Sequence, residues 1–136
     1  MGLKMGYLVD TNILIEIESN NLKIIQEVES LRKTKLENLF ISIFTFSEFY
    51  YGILRKSPKN KEKLIERLND FVLINTSKQS GIIFCEITSQ LKDAGKMIPQ
   101  FDAFIAALAI ENDLTLVTLD EHFKLVPNLR VIVLED

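Results

Sequence analysis

Short apolar runs closed by polar turn residues alternate along this chain with longer stretches whose apolar positions recur every three or four residues. Tyr7-Leu8-Val9 is the first run, a β-type segment ended by Asp10-Thr11-Asn12, and Ile13-Leu14-Ile15-Glu16-Ile17 continues with helical character. Leu22 to Lys35 carries apolar residues at 22, 24, 25, 28 and 31, near helical spacing, before Leu39-Phe40-Ile41-Ser42-Ile43 returns to a strand pattern. A helix is predicted from Thr45 to Arg55. Ser57-Pro58-Lys59-Asn60 then punctuates the chain, and Leu64, Ile65, Leu68 and Phe71 mark another helix leading into a strand from Phe71 to Ile74. Ser77 to Lys92 reads as a long helix with a turn at Gly95. Pro99 opens the next helix, Phe101 to Glu111, because a proline in the first turn gives up only an amide that lacks an intrahelical partner. Asn112-Asp113 closes it. Leu114 to Val117 is a β run ending at Thr118-Leu119-Asp120, and Val131 to Leu134 supplies a last strand. This alternation predicts the α/β class: a mainly parallel central sheet covered on both faces by helices, a three-layer α/β/α domain.

The chain's 136 residues are enough for one core, and residues 1–136 are read as a single domain. The longest apolar run, Ala103 to Ile110, is too short to cross a bilayer, and Met1-Gly2-Leu3-Lys4-Met5 lacks the extended apolar region of a signal peptide. A cytoplasmic protein with no membrane partner is expected. A single cysteine and a single histidine cannot assemble a thiolate or imidazole zinc cage, so any metal site must rest on oxygen ligands. Cys85, within Ile82-Ile83-Phe84-Cys85-Glu86-Ile87, reads as a small buried apolar residue. His122 beside Phe123 reads as a surface or packing residue.

The net charge of −3 argues at first against a nucleic-acid partner. Distribution changes that picture. Four carboxylates stand out by position, Asp10, Glu48, Asp102 and Asp120, and removing them from the count turns −3 into +1. Arg55 to Arg67 holds six basic residues against Glu62 and Glu66, a local +4 that suits either a solvated helix face or a phosphate-contacting patch.

In an open α/β sheet, ligands bind beyond the carboxyl ends of the strands, where Asp10 and Asp120 are predicted to stand. Each acid also has a local explanation. Asp10 suits a helix-capping turn, Thr45 and Glu48 have the spacing of a capping box, Asp102 favours a helix's first turn, and Asp120 suits a cap for Glu121-His122-Phe123. Capping needs four independent accounts, whereas one hard-cation site explains all four positions. Crowded carboxylates raise one another's pKa, and a cation such as Mg2+, which prefers oxygen ligands, resolves that conflict.

Val9-Asp10-Thr11-Asn12, then Ser47-Glu48 with Gly52, then Ile98-Pro99-x-x-Asp102-x-x-Ile105-Ala106-Ala107, then Leu116-Val117-Thr118-x-Asp120-x-x-Phe123 resemble the ordered motifs of the PIN-domain family, and more closely its VapC-type toxin ribonucleases. The resemblance spans almost the whole chain. It implies a PIN-like fold and an endoribonuclease that hydrolyses RNA phosphodiester bonds with Mg2+ or Mn2+, restrained by a cognate antitoxin and commonly a homodimer. Asp10, Glu48, Asp102 and Asp120 match the acidic quartet, as metal ligands and catalytic groups, and Thr118 matches the polar residue beside the fourth acid. On this reading Asp10 and Asp102 hold the principal ion, Asp120 supports it or a second one, and Glu48 orients or deprotonates the attacking water. Products with 5′-phosphate and 3′-hydroxyl ends follow. Thr11 and Ser42 are further candidates to bond a carboxylate or the phosphate.

Two other functions remain open from sequence. One is a catalytically inactive RNA- or partner-binding domain on the same scaffold. The other is a phosphatase with Asp10 as nucleophile, disfavoured because Asn12 stands where a second aspartate is usual. The segment Phe40 to Tyr51 is rich in aromatics, expected mostly in the core, with some left for a dimer seam or an antitoxin helix.

Overall fold

The computed structural model describes residues 6–35 and 38–136. Five strands, β1 (Tyr7–Val9), β2 (Leu39–Ser42), β3 (Val72–Ile74), β4 (Thr115–Thr118) and β5 (Val131–Val133), form one sheet in the order β3-β2-β1-β4-β5. Every neighbouring pair is parallel, with Leu8 opposite both Phe40 and Leu116. The helices are α1 (Thr11–Glu18), α2 (Leu22–Lys35), α3 (Ile43–Lys56), α4 (Lys61–Leu68), α5 (Lys78–Asp93) and α6 (Gln100–Glu111). A 3-10 turn, Glu121–Leu125, follows β4.

Strand alternation divides the core between the two faces. Leu8, Phe40 and Leu116 meet Ile87 and Leu91 of α5 and the apolar run of α6. Tyr7, Val9, Ile41 and Val117 meet Ile13 and Leu14 of α1, Ile24 and Val28 of α2, and Leu68 of α4. The predicted three layers are present. Ala103, Ala106, Ala107 and Ala109 are buried, small enough for α6 to lie close against its neighbours while Ile105 and Leu108 fill the remaining space. Gly6 is required just before β1, since a Cβ there would sit 2.7 Å from the Phe40 ring and 2.8 Å from Leu114.

Two local expectations are corrected. Helix α3 begins at Ile43, and its cap is Ser42, whose hydroxyl accepts from the Thr45 amide at 3.0 Å, so Thr45 and Glu48 form no capping box and Ser42 is committed to the backbone. Cys85 is exposed, because α5 turns Ile83, Phe84 and Ile87 inward and leaves the cysteine and Glu86 on its outer face. As expected, most of the aromatics, Phe40 to Tyr50, pack on the two cores, and Tyr51 is left 64% exposed, one helical turn before the half-exposed Leu54. Among the described residues, no helix is long and apolar enough to cross a membrane.

Candidate active site

The strand order reverses at β1, which feeds β2 and β3 on one side and borders β4 and β5 on the other. Such a switch point leaves a crevice at the carboxyl ends of the two central strands. Asp10 follows β1 there, and Thr118 ends β4 beside it.

Asp10 is 5% exposed and serves two purposes. One oxygen, Oδ1, accepts from the Thr11 amide at 2.8 Å and caps α1, as the local reading foresaw. The other, Oδ2, accepts from the Thr118 hydroxyl at 2.7 Å. Capping and site-building are therefore the same geometry. Thr118 is fully buried and fully used: it donates to Asp10 and accepts from the Asp120 amide at 3.1 Å and from Asn12 Nδ2 at 3.4 Å. The Asn12 side-chain oxygen accepts from the Leu119 amide at 3.2 Å, so Asn12 ties α1 to the end of β4, and its carboxamide has no acidic proton to give.

Glu48 reaches the same crevice from α3. Its Oε1 accepts the Thr11 hydroxyl at 2.7 Å, and that hydroxyl also lies 2.9 Å from Thr45 Oγ1. Asp102 occupies the first turn of α6, where the helix N-terminus favours an anion. Asp120 caps the 3-10 turn by accepting from the His122 amide at 3.2 Å. Phe123, fully buried, pins that turn to the core.

The acids are close enough to act on one another. Burial pushes the Asp10 carboxyl above the ordinary range, the Thr118 and Thr11 hydrogen bonds pull against it, and the charges of Asp102 and Glu48 push it further up. Asp102 is likewise raised by burial, with His122 pulling down and Asp120 and Glu48 pushing up. Such a group, rich in oxygen donors and short of positive charge, fits a hard divalent cation such as Mg2+ or Mn2+.

One residue that sequence reasoning set aside belongs here. His122 is wedged between two members of the quartet, Nε2 2.9 Å from Asp102 Oδ2 and Nδ1 2.7 Å from Asp120 Oδ1. Atoms of Asp102, Asp120 and His122 suited to metal ligation lie within 4.8 Å of one another. The signal available in sequence was the placement of the chain's one histidine two residues after a strand-end aspartate.

The model of the PIN domain matches residues 7–129. The chain belongs to the PIN-domain family. It is 31% identical over 129 residues to Ribonuclease VapC2 of Rickettsia felis, covering 92% of this chain and 95% of that one. It is also 31% identical over 123 residues to Toxin FitB of Neisseria gonorrhoeae, covering 83% and 86% of the two chains. In three dimensions this PIN domain superposes on a chain of the crystal structure of VapBC2 from Rickettsia felis bound to a DNA fragment from their promoter, with a TM-score of 0.80 at 28% identity, covering 96% of this chain and all of that one.

Proposed function

We propose that this PIN domain is a metal-dependent endoribonuclease that hydrolyses RNA phosphodiester bonds with Mg2+ or Mn2+, and that it is the cytoplasmic toxin of a toxin-antitoxin pair. The observation that carries the reading is the gathering of Asp10, Glu48 and Asp102 with Asp120 at the switch point of the sheet, in a chain related to a named ribonuclease.

On this reading Asp10 and Asp102 are the principal oxygen ligands and Asp120 supports them. When bound, Mg2+ or Mn2+ would offset the charge that builds on the scissile phosphate and make water a better nucleophile. Thr118 fixes the Asp10 carboxylate through its hydroxyl, and the Thr11 amide fixes the other oxygen, so the ligand is held in place before substrate arrives. Glu48, the exposed acid steadied by Thr11, orients the attacking water and takes its proton. No side chain serves as nucleophile.

A partner is part of the proposal. A groove of about 440 Å³ opens beside Thr11 and Glu48, lined by Ile15, Phe49, Gly52 and Leu64. An apolar antitoxin segment seated there would also cover the acids, and FitB, one of the relatives, is named a toxin. The exposed side chains Ile82, Met97 and Phe101 offer apolar surface for a homodimer.

The decisive assay incubates the purified chain with pooled cellular RNAs in Mg2+, in Mn2+ and in EDTA. Cutting only with metal, leaving 5′-phosphate and 3′-hydroxyl ends, is expected. Cutting in EDTA, 2′,3′-cyclic ends, or RNA binding with no cutting in Mn2+ would overturn the assignment.

A further inference from the structure

The position of His122 is hard to explain as packing. Its ring is about one-quarter exposed and stands between two carboxylates on different elements, with a nitrogen toward each. The two contacts are unequal in kind. Asp120 Oδ1 takes both the ring Nδ1 and the backbone amide of His122, a closed local loop that fixes the side chain over its own turn. Asp102 comes from α6, feels the charges of Asp120 and Glu48, and itself acts on Asp10. One nitrogen is thus anchored, while the other faces Asp102 Oδ2 at 2.9 Å.

That is the arrangement in which histidine holds a metal: one ring nitrogen gives its proton to a carboxylate, which sets the tautomer and the ring orientation, and the other is left for the ion. We propose that His122 Nε2 is a ligand of the divalent ion beside Asp102, and that Asp120 is a positioning residue that acts through His122 Nδ1. The inference rests on the metal-dependent reading above. It changes the donor set from oxygen alone to oxygen plus one imidazole. Such a set favours Mn2+ and Co2+ over Mg2+ more strongly than carboxylates do by themselves.

Because the chain contains one histidine, the test is unambiguous if the protein carries no histidine tag. Electron spin-echo envelope modulation on the Mn2+-loaded wild-type chain should show nitrogen coupling from a directly bound imidazole. In His122→Gln the coupling should vanish. By calorimetry, the same variant should lose about 10- to 100-fold in Co2+ affinity, on the scale of losing a metal-orienting group, while Mg2+ affinity shifts by much less. Asp120→Asn should keep the nitrogen coupling and weaken Co2+ binding.

Bound Mn2+ without nitrogen coupling would overturn the role of His122 and leave the metal-dependent nuclease standing. Tighter metal binding in His122→Gln would also overturn it, since the ring would then be a competing cation rather than a ligand. Failure of the wild-type chain to bind Mn2+ would remove both readings together. The wild-type spectrum decides the matter even where a variant folds poorly.

Discussion

Glu18 and Asp10 are both carboxylates drawn out of water, and the fold answers them in opposite ways. Glu18 ends α1 with a side chain 9% exposed, and Arg67 of α4 meets it at 2.7 Å. Burial pushes its carboxyl above the ordinary range, and the guanidinium pulls it back. Asp10, 5% exposed, receives one amide and one hydroxyl, and the charged neighbours that act on it, Asp102 and Glu48, have its own sign. A buried charge with a resident counter-ion is a structural pair. A buried charge surrounded by like charges stores a demand for a cation from outside, which is how functional sites depart from the rules obeyed elsewhere in a fold.

The sharpest way to break that contrast is to neutralise the unpaired acid. Asp10→Asn should lower metal-dependent RNA cleavage by about a thousandfold, equivalent to about 4 kcal/mol of lost transition-state stabilisation. In EDTA its melting temperature should equal or exceed that of the wild type, because a buried charge with hostile neighbours has gone while the amide oxygen can still cap α1. Single-turnover cleavage and thermal melts measure the two effects. Retained cleavage, or collapse of the fold in EDTA, would place Asp10 with the structural residues.

Thr118 is the hinge of the comparison, since it gives Asp10 a hydrogen bond in place of a charge. Thr118→Val keeps the shape and removes all three polar contacts. Mn2+ affinity should fall by about 10- to 100-fold, with a stability cost of about 1–3 kcal/mol from the donors left without an acceptor. Thr118→Ser should restore most of both. Calorimetry and denaturant titration separate binding from folding, and unchanged Mn2+ affinity in the valine variant would show that Asp10 needs no such support.

These residues also mark where sequence reading succeeds and where it stops. The strand-helix order is legible because each strand is an uninterrupted apolar run with a polar stop, as at Val9-Asp10 and Val117-Thr118, and that pattern is local. The candidate acids are legible because three of them stand at strand ends or helix starts, positions that local patterning also fixes. The start of α3 is missed because two hydroxyls compete for one cap, and Ser42 prevails over Thr45 as the last residue of a buried strand. His122 is missed for a different reason. Its meaning depends on Asp102, twenty residues away on another element, and a lone histidine carries no periodic signal. The pairing of Glu18 with Arg67 is hidden likewise, within a basic stretch that reads equally as a solvated face.

That structural pair makes the reciprocal test. Arg67→Ala should leave metal-dependent cleavage unchanged and cost about 1–2 kcal/mol of stability, more than an exposed ion pair and less than a fully buried one, because the arginine itself is 43% exposed. Combining it with Glu18→Gln should recover part of that loss. A neutral Arg67→Ala in denaturant titration would mean that Glu18 is tolerated without its partner, and the two carboxylates would no longer differ in kind.

The smallest effect is the pH dependence of the metal-free chain, and its sign follows from the raised carboxyls of Asp10, Asp102 and Glu18. A carboxyl whose pKa is higher in the folded state holds its proton longer there than in the unfolded chain. Its contribution therefore favours folding below the ordinary carboxylate range and is lost as pH rises through the raised value. Denaturant titrations in EDTA from pH 4 to 7 should show this component for the wild type and a weaker one for Asp10→Asn. Saturating Mn2+ should remove the loss at neutral pH in the wild type alone, since the ion takes over the role of the bound proton. Equal slopes for the two proteins in EDTA would show that the Asp10 charge is already neutralised within the fold, and the distinction between its site and the Glu18 pair would disappear.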